Sequence, residues 1–329
     1  MAYSERTEPM PCLKKNKMLF NKNRATYSNR KFRILLISSI PILFLFGACQ
    51  MKKKDTVYND WNSGTITIAT DESVSDILGQ LKQIYEHENT NADVQLRFQP
   101  QDKIISNFIN GEITSMIVCR ALTAKEKESS QQHQKIEITE NIFAYTAVAV
   151  IANVSFKDSA IDVGAIKNYL KANSTVRLIF DNEQSGIPSF IANKASIAAA
   201  SFKNALVVKN TTAVIEYVKR NPNSIGFIPY NKISEDNTET AKLLSSLKVL
   251  KVSQGGTAYL PSQQSIYDFS YPLQCPVNLV LGRNPELVGK GFSNFLCRVK
   301  ASKILLRAGL VPRYMPVRQI VVHNELQTR

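Results

Sequence analysis

Three short stretches bring hydroxyl, carboxyl and guanidinium groups to places where a chain can grip a small anion. Asp71, Glu72 and Ser73 follow an alternating run, Thr65–Ala69, and precede a segment with helical spacing. Cys119 and Arg120 follow a short apolar run, Ser115–Cys119. Asp181, Asn182, Glu183, Gln184, Ser185 and Gly186 again lie between an apolar run and a helical pattern. Each is a strand-to-helix junction, and in open α/β sheets ligands bind there, at the carboxyl ends of strands. A helix start offers N–H groups and the positive end of the helix dipole. Ser73 and Ser185 add hydroxyls, and Arg120 adds the side chain best suited to grip phosphate or carboxylate through two bonds. The plainer alternatives are that Asp71, Ser73 or Ser185 only cap their helices, and that Arg120 is an exposed strand-end residue. No Gly-x-Ser-x-Gly, Walker loop or His-Glu-x-x-His occurs. His87, His133 and His323 stand apart in polar contexts. The sequence therefore predicts binding without reaction: no enzyme, no metal and no cofactor.

The elements that must position these groups alternate. Strands are expected at Thr65–Ala69, Ala92–Phe98, Ser115–Cys119, Asn141–Asn153, Val176–Phe180, Ala205–Val208, Ser224–Pro229, Val249–Val252, Pro276–Leu281 and Arg318–Val322. Helices are expected at Val74–Glu88, Val163–Ala172, Thr211–Arg220 and most of Gly291–Leu310, from apolar residues at three- and four-residue intervals. Thr123 and Glu126 have capping-box spacing. Residues 231–263 lack strong periodicity and are expected to hold a hinge or crossover. Strands alternating with helices predict an α/β fold with mostly parallel sheets.

The first 48 residues stand apart. Nine Lys/Arg precede the apolar run Ile34–Phe46, which ends at Gly47-Ala48-Cys49. A basic segment, a short apolar core and small residues are the order of a secretory signal. Small residues directly before a cysteine resemble the lipobox of bacterial lipoproteins. That resemblance implies a signal peptide over 1–48, started at Met1 or Met18, and a lipid on Cys49 that ties the chain to the cell envelope. Residues 49–63 read as a polar tether. The formal net charge of +14 is largely the leader's. From Cys49 onward 32 basic residues face 25 acidic ones, mixed along the chain, which argues against a nucleic-acid binder. Cys119, Cys275 and Cys297 remain after Cys49 is taken. A Cys275–Cys297 bridge fits an oxidising compartment, although the spacing does not require one.

Taken in order, Gly64–Ser73, Met116–Thr123, Phe180–Gly186, Ser224–Pro229 and Gly309–Pro312 resemble the substrate-binding proteins of phosphate ABC transporters, in their Bacteroidota lipoprotein form. The resemblance implies a periplasmic-binding-protein type II fold: two α/β lobes, two crossover segments, and a ligand cleft between. The first lobe would hold residues 64–153, the second 154–254, and 255–329 would return to the first. It implies a monomer that hands phosphate or a similar oxyanion to a membrane permease. Carried over by position, Ser73, Arg120, Ser185 and Gly186 bind the anion, with Asp71, Glu72 and Gln184 beside them. Three positions depart from the family pattern: Cys119 stands where a serine precedes the arginine, Ile187 where a threonine follows Ser-Gly, and Ile113–Val118 lacks the family's aspartate. Those departures support a second expectation, a fold that has lost its ligand and serves as a cell-envelope scaffold. An envelope hydrolase is disfavoured for want of a nucleophile–base pair.

Overall fold

The computed structural model describes residues 60–134, 138–171, 173–182, 185–197, 205–234, 245–282 and 287–316. The leader, Cys49, most of the tether, Gln184 and the strand expected at Arg318–Val322 lie outside the described residues. The unit that begins at Val57 opens with β1 (Ser63–Thr70), α1 (Ser75–Glu88), β2 (Asn91–Phe98), α2 (Gln101–Ile109), β3 (Ser115–Val118) and α3 (Ala124–Gln134). β1 alternates as its sequence requires, with Ile66 and Ile68 buried and Thr65 and Thr67 outward. α1 buries Ile77, Leu78, Leu81 and Tyr85 on one face. The capping box expected before α3 is present: Glu126 N–H donates to Thr123 Oγ1 (3.2 Å) and Thr123 N–H to Glu126 Oε2 (2.8 Å).

The chain then enters β4 (Thr139–Asn153), the longest strand, and continues through β5 (Ala160–Asp162), α4 (Ile166–Tyr169), β6 (Arg177–Asp181), α5 (Ile187–Lys194), β7 (Ala205–Val208), α6 (Thr211–Arg220) and β8 (Ser224–Pro229). After β9 (Leu247–Val249) and β10 (Lys251–Ser253) come α7 (Gln263–Tyr267), β11 (Gln274–Leu281), α8 (Leu287–Leu296), α9 (Val299–Arg307) and β12 (Val311–Pro312). Two expected helices are interrupted. Asp162 accepts from Gly164 N–H (2.8 Å), so the segment after β5 starts as a 3₁₀ turn and holds only a short α-helix, α4. Arg298 is extended (ψ 159°) and splits the last helical segment into α8 and α9.

Ten strands form one sheet in the order β2-β1-β3-β11-β4-β8-β6-β7, with β12 and β9 also paired to β4. The outer pairs are parallel: β1 with β2 and β3, and β6 with β7 and β8. The centre is not, contrary to the expectation of mostly parallel pairing. β11 runs antiparallel to β3 and β4, and β4 runs antiparallel to β8. Thr139–Ala147 of β4 pairs with β11, and Val148–Ala152 with β8. At the changeover Val148 N–H donates to Leu273 C=O (2.9 Å), and Tyr271 O–H donates to Val148 C=O (2.9 Å). One hydrophobic core runs along both halves, from Ile66, Leu78 and Phe292 to Phe180, Phe227 and Val214.

Gly226 in β8 is a close approach rather than a turn. A Cβ there would stand 2.6 Å from Val214 Cγ1 and 2.9 Å from Ile151 Cγ1. Overpacking of this kind costs about 1–3 kcal/mol. Gly226→Ala is therefore expected to lower unfolding stability by that amount in urea titration, and an unchanged midpoint would contradict the packing described.

Candidate functional site

The carboxyl ends of β1, β3, β6 and β8 meet at one cavity. Ser73, Cys119, Thr146, Gly186, Phe190 and Cys275 are among its walls. Among the described residues none that lines it is Lys, Arg or His. Its volume of about 20 Å³ is small, since a single water needs roughly 10–15 Å³ on the same measure.

At the β1 end, Asp71 is fully buried. Its Oδ1 accepts from Ser73 N–H (2.9 Å) and from the Ser73 hydroxyl, so it caps the 3₁₀ turn Glu72–Val74 that leads into α1. Its Oδ2 is buried with no partner. Burial raises its pKa although the Ser73 bonds oppose the shift. Ser73 Oγ also lies 3.4 Å from Cys119 Sγ. Burial, and then the charge of Asp71, push the Cys119 thiol well up, and burial pushes Cys275 to about 12. Cys275 and Cys297 are both free, so the bridge that the sequence left open is not formed.

At the β6 end, Asp181 is 4% exposed; Thr211 Oγ1 donates to its Oδ2 (3.2 Å), and its Oδ1 has no partner. Burial raises its pKa to about 6, and the charge of Asp71 adds to the rise. Ser185 Oγ accepts from Ile187 N–H (3.2 Å) at the first turn of α5. Gly186 abuts Gln101, where a Cβ would come within 2.7 Å of Nε2. Gln101 Oε1 in turn accepts from Cys119 N–H (3.0 Å). Three further contacts join residues near β1 and α2 to residues near β6, α5 and β8: Glu72 with Asn182, Asp76 with Lys232, and Asp102 with Ser189 (2.5 Å). The cleft is closed.

The structure thus brings Asp71, Ser73, Ser185 and Gly186 together and places Glu72 at the rim against Asn182. Arg120 goes elsewhere. Its guanidinium holds Glu126 through two bonds (2.8 and 2.6 Å) and donates to Ala121 C=O (3.0 Å). Burial alone would push Glu126 up, but those bonds outweigh it and hold its pKa below the usual value. Arg120 lines a separate cavity with Asp102, Ser106 and Glu126. Asp181, at the start of the third stretch, is buried beside the site, and Thr146, Gln101 and Cys275 contribute to it without having been singled out as ligand residues from sequence. Thr146 was visible as the one hydroxyl in the apolar run Thr146–Ile151. Gln101 and Cys275 carried no signal. Among the described residues no group of three His, Cys, Asp or Glu is placed to hold a metal, and no helix is long and apolar enough to cross a membrane.

A closed cleft between two halves of one α/β sheet, with hydroxyls and buried carboxyls at strand ends, defines a two-lobed binding fold. A family model described as "PBP superfamily domain" matches residues 59–299, and the chain belongs to that superfamily of periplasmic binding proteins. No curated protein matches the sequence. Among solved structures, the chain is similar to an ABC-type phosphate transport receptor from Vibrio cholerae (17% identity, TM-score 0.60, covering 77% of this chain and 100% of that one). It is similar to PstS from Borrelia burgdorferi (22%, 0.54, 76% and 99%), and to a Clostridium perfringens protein with bound phosphate (16%, 0.61, 76% and 100%). At these identities the likeness establishes the fold.

The Asp181 carboxyl gives a pH test. Its folded pKa of about 6 lies above the ordinary 3.8, so the fold favours the protonated form. The stability this group contributes is full below about pH 4 and is lost as pH rises through about 6. Asp181→Asn should therefore match the parent near pH 4 and exceed it by about 2–3 kcal/mol near pH 8. Urea unfolding at both pH values checks this, and equal stability at both would contradict it.

Proposed function

We propose that the chain is an extracytoplasmic solute-binding protein that captures phosphate, or a similar oxyanion, and delivers it to an ABC permease. The closed cleft over Ser73 and Gly186 carries the reading. A cavity with room for little more than a water admits phosphate only when the lobes part, and closure then brings groups from both halves onto the ligand at once. The lobes are residues 64–153 with 255–329, and 154–254, with the last residues of β4 already paired into the second. The binding set is Ser73, Ser185 and Gly186, with Asp71 and Glu72 beside them; Arg120 shapes the loop before α3. The signal-like leader and Cys49 support a lipid anchor at the cell envelope, and the fold supports a monomer with no catalytic role.

One observation favours a second reading, a ligand-free scaffold: among the described residues no basic side chain lines the cavity. Calorimetric titration of the Val57–Arg329 unit with phosphate separates the two. A dissociation constant well below about 1 mM, abolished by a bulky Gly186→Trp change and kept in Arg120→Ala, is expected. No heat with phosphate or sulfate would sink the receptor reading and favour the scaffold.

A further inference from the structure

Charges of both signs are mixed through most of the chain, but not near its end. From Leu287 to Asn324 there are seven Lys/Arg and no Asp or Glu. Lys290 on α8, Arg298 between the two helices, and Lys300, Lys303 and Arg307 on α9 are all exposed. α9 turns Ala301, Ser302 and Leu305 inward, so its apolar side is spent on the core and its cations are left outside. Glu88 at the end of α1 pairs with Lys300, both of them well exposed, so the pair is weak. Neither the core nor the cleft uses this surplus of positive charge.

The cations stand where the chain enters the unit. α1 starts beside the cleft and runs away from it to Glu88, so Glu88, the start of α9 and the start of β1 share the far end. Trp61 lies there, 44% exposed. Its backbone is nevertheless fixed. Its C=O accepts from Tyr85 O–H (2.7 Å) and rests on Gly291, where a Cβ would stand 1.8 Å from it. Tyr85 in turn packs against Phe292 and Phe295, with ring centroids at 5.2 and 5.4 Å. Burial raises the Tyr85 pKa to about 12, the charge of Arg298 lowers it and that of Asp60 adds to the rise, so both charges are within reach of this point. Val299, next to Arg298, is 58% exposed. An indole and a valine are thus presented on a rigid base among cations. Tryptophan favours the boundary between lipid tails and water, and Lys and Arg are drawn to anionic headgroups.

We propose that this end of the molecule is a docking face for an anionic lipid surface, with Trp61 and Val299 entering the headgroup boundary and Lys290, Arg298, Lys300 and Lys303 meeting the headgroups. Two observations choose a lipid surface over an acidic protein. The cations surround exposed apolar side chains on a convex end rather than a groove. The chain that arrives at this face carries the lipobox-like Cys49 only eleven residues before Asp60, a reach of about 40 Å at most. The proposal rests on the envelope reading above only for bringing a membrane within reach, and not on the ligand. β1, eight residues long, separates the face from the cleft by roughly 25 Å, so docking leaves the cleft uncovered.

The test uses the Val57–Arg329 unit, which contains the whole described core and lacks Cys49, so any binding belongs to the face itself. Trp61 is the chain's one tryptophan and reports its own surroundings. With vesicles of equal parts phosphatidylcholine and phosphatidylglycerol at low salt, its emission should shift to the blue and be quenched by brominated acyl chains. Phosphatidylcholine alone should give neither change. Lys290→Glu combined with Lys303→Glu should weaken partition at least about tenfold, since each cation at such a surface is worth about fivefold. Lys171→Glu, at an exposed position beyond α4, should change it less than about twofold, with folding of both variants checked by thermal melting. No blue shift with the anionic vesicles, sedimentation with them while Trp61 stays unquenched, or equal losses in the two variants overturns the proposal. Retention of poly-glutamate in place of the vesicles assigns the face to an acidic protein and also overturns it. The phosphate titration is decided separately: a unit that docks but binds no phosphate keeps the face and loses the receptor reading.

Discussion

Everything in this fold hangs on β4 serving two sets of partners. Fifteen residues long, it is tied to β11 along its first half and to β8 and β9 along its second. A strand that changes partners must leave backbone groups exposed at the changeover unless something else meets them. Val148 is that point, and the segment after α7 meets it twice, through Leu273 C=O and the buried Tyr271 hydroxyl. The cleft lies over this junction, with Thr146, Ala147 and Val148 among its walls. In the receptor reading proposed above, movement of one lobe against the other would bend the chain beside this cavity and so couple binding to closure.

Among the described residues no basic side chain lines the cleft, and Lys194 acts on Cys275 only from beyond its wall. The carboxyls of the cleft are buried, the Ser73 hydroxyl is bonded to Asp71, and the Thr146 hydroxyl has no partner. The one nearby guanidinium is spent on Glu126, a bidentate pair with both side chains largely buried, which is costly to break because either partner would be left uncompensated. The contacts that close the cleft are of a lighter kind. Asp76 is 65% exposed in its pair with Lys232, and exposed ion pairs contribute little. Closure therefore rests more on packing, as where Gln101 fills the space left by Gly186, than on charge.

Much of the fold was legible because its elements announce themselves locally. α6 and β8 fall where the sequence places them, since Asn210 caps α6 through Ala213 N–H (2.9 Å) and the apolar run of β8 is buried throughout. The direction of pairing was not legible: β4 and β11 are apolar runs, and such a run reads the same whether its neighbours are parallel or antiparallel. Ser73 and Gly186, expected from the rule that strand ends and helix starts gather ligands, both line the cleft cavity. Arg120 misleads because its partner sits six residues further on, in a capping box that recruits Glu126 for the backbone and the guanidinium together. Gln101 and Cys275 belong to the site only through contacts distant in sequence, which no local spacing reports.

The central claim is that the anion sits between Ser73 and Gly186 rather than at Arg120. A crystal structure of the Val57–Arg329 unit grown with phosphate at mildly acid pH tests it most directly. The account predicts a tetrahedral anion in the cleft, within hydrogen-bond reach of Ser73, with the Arg120–Glu126 pair intact. An anion held by Arg120 with Glu126 displaced, or a closed cleft empty at saturating phosphate, would contradict it.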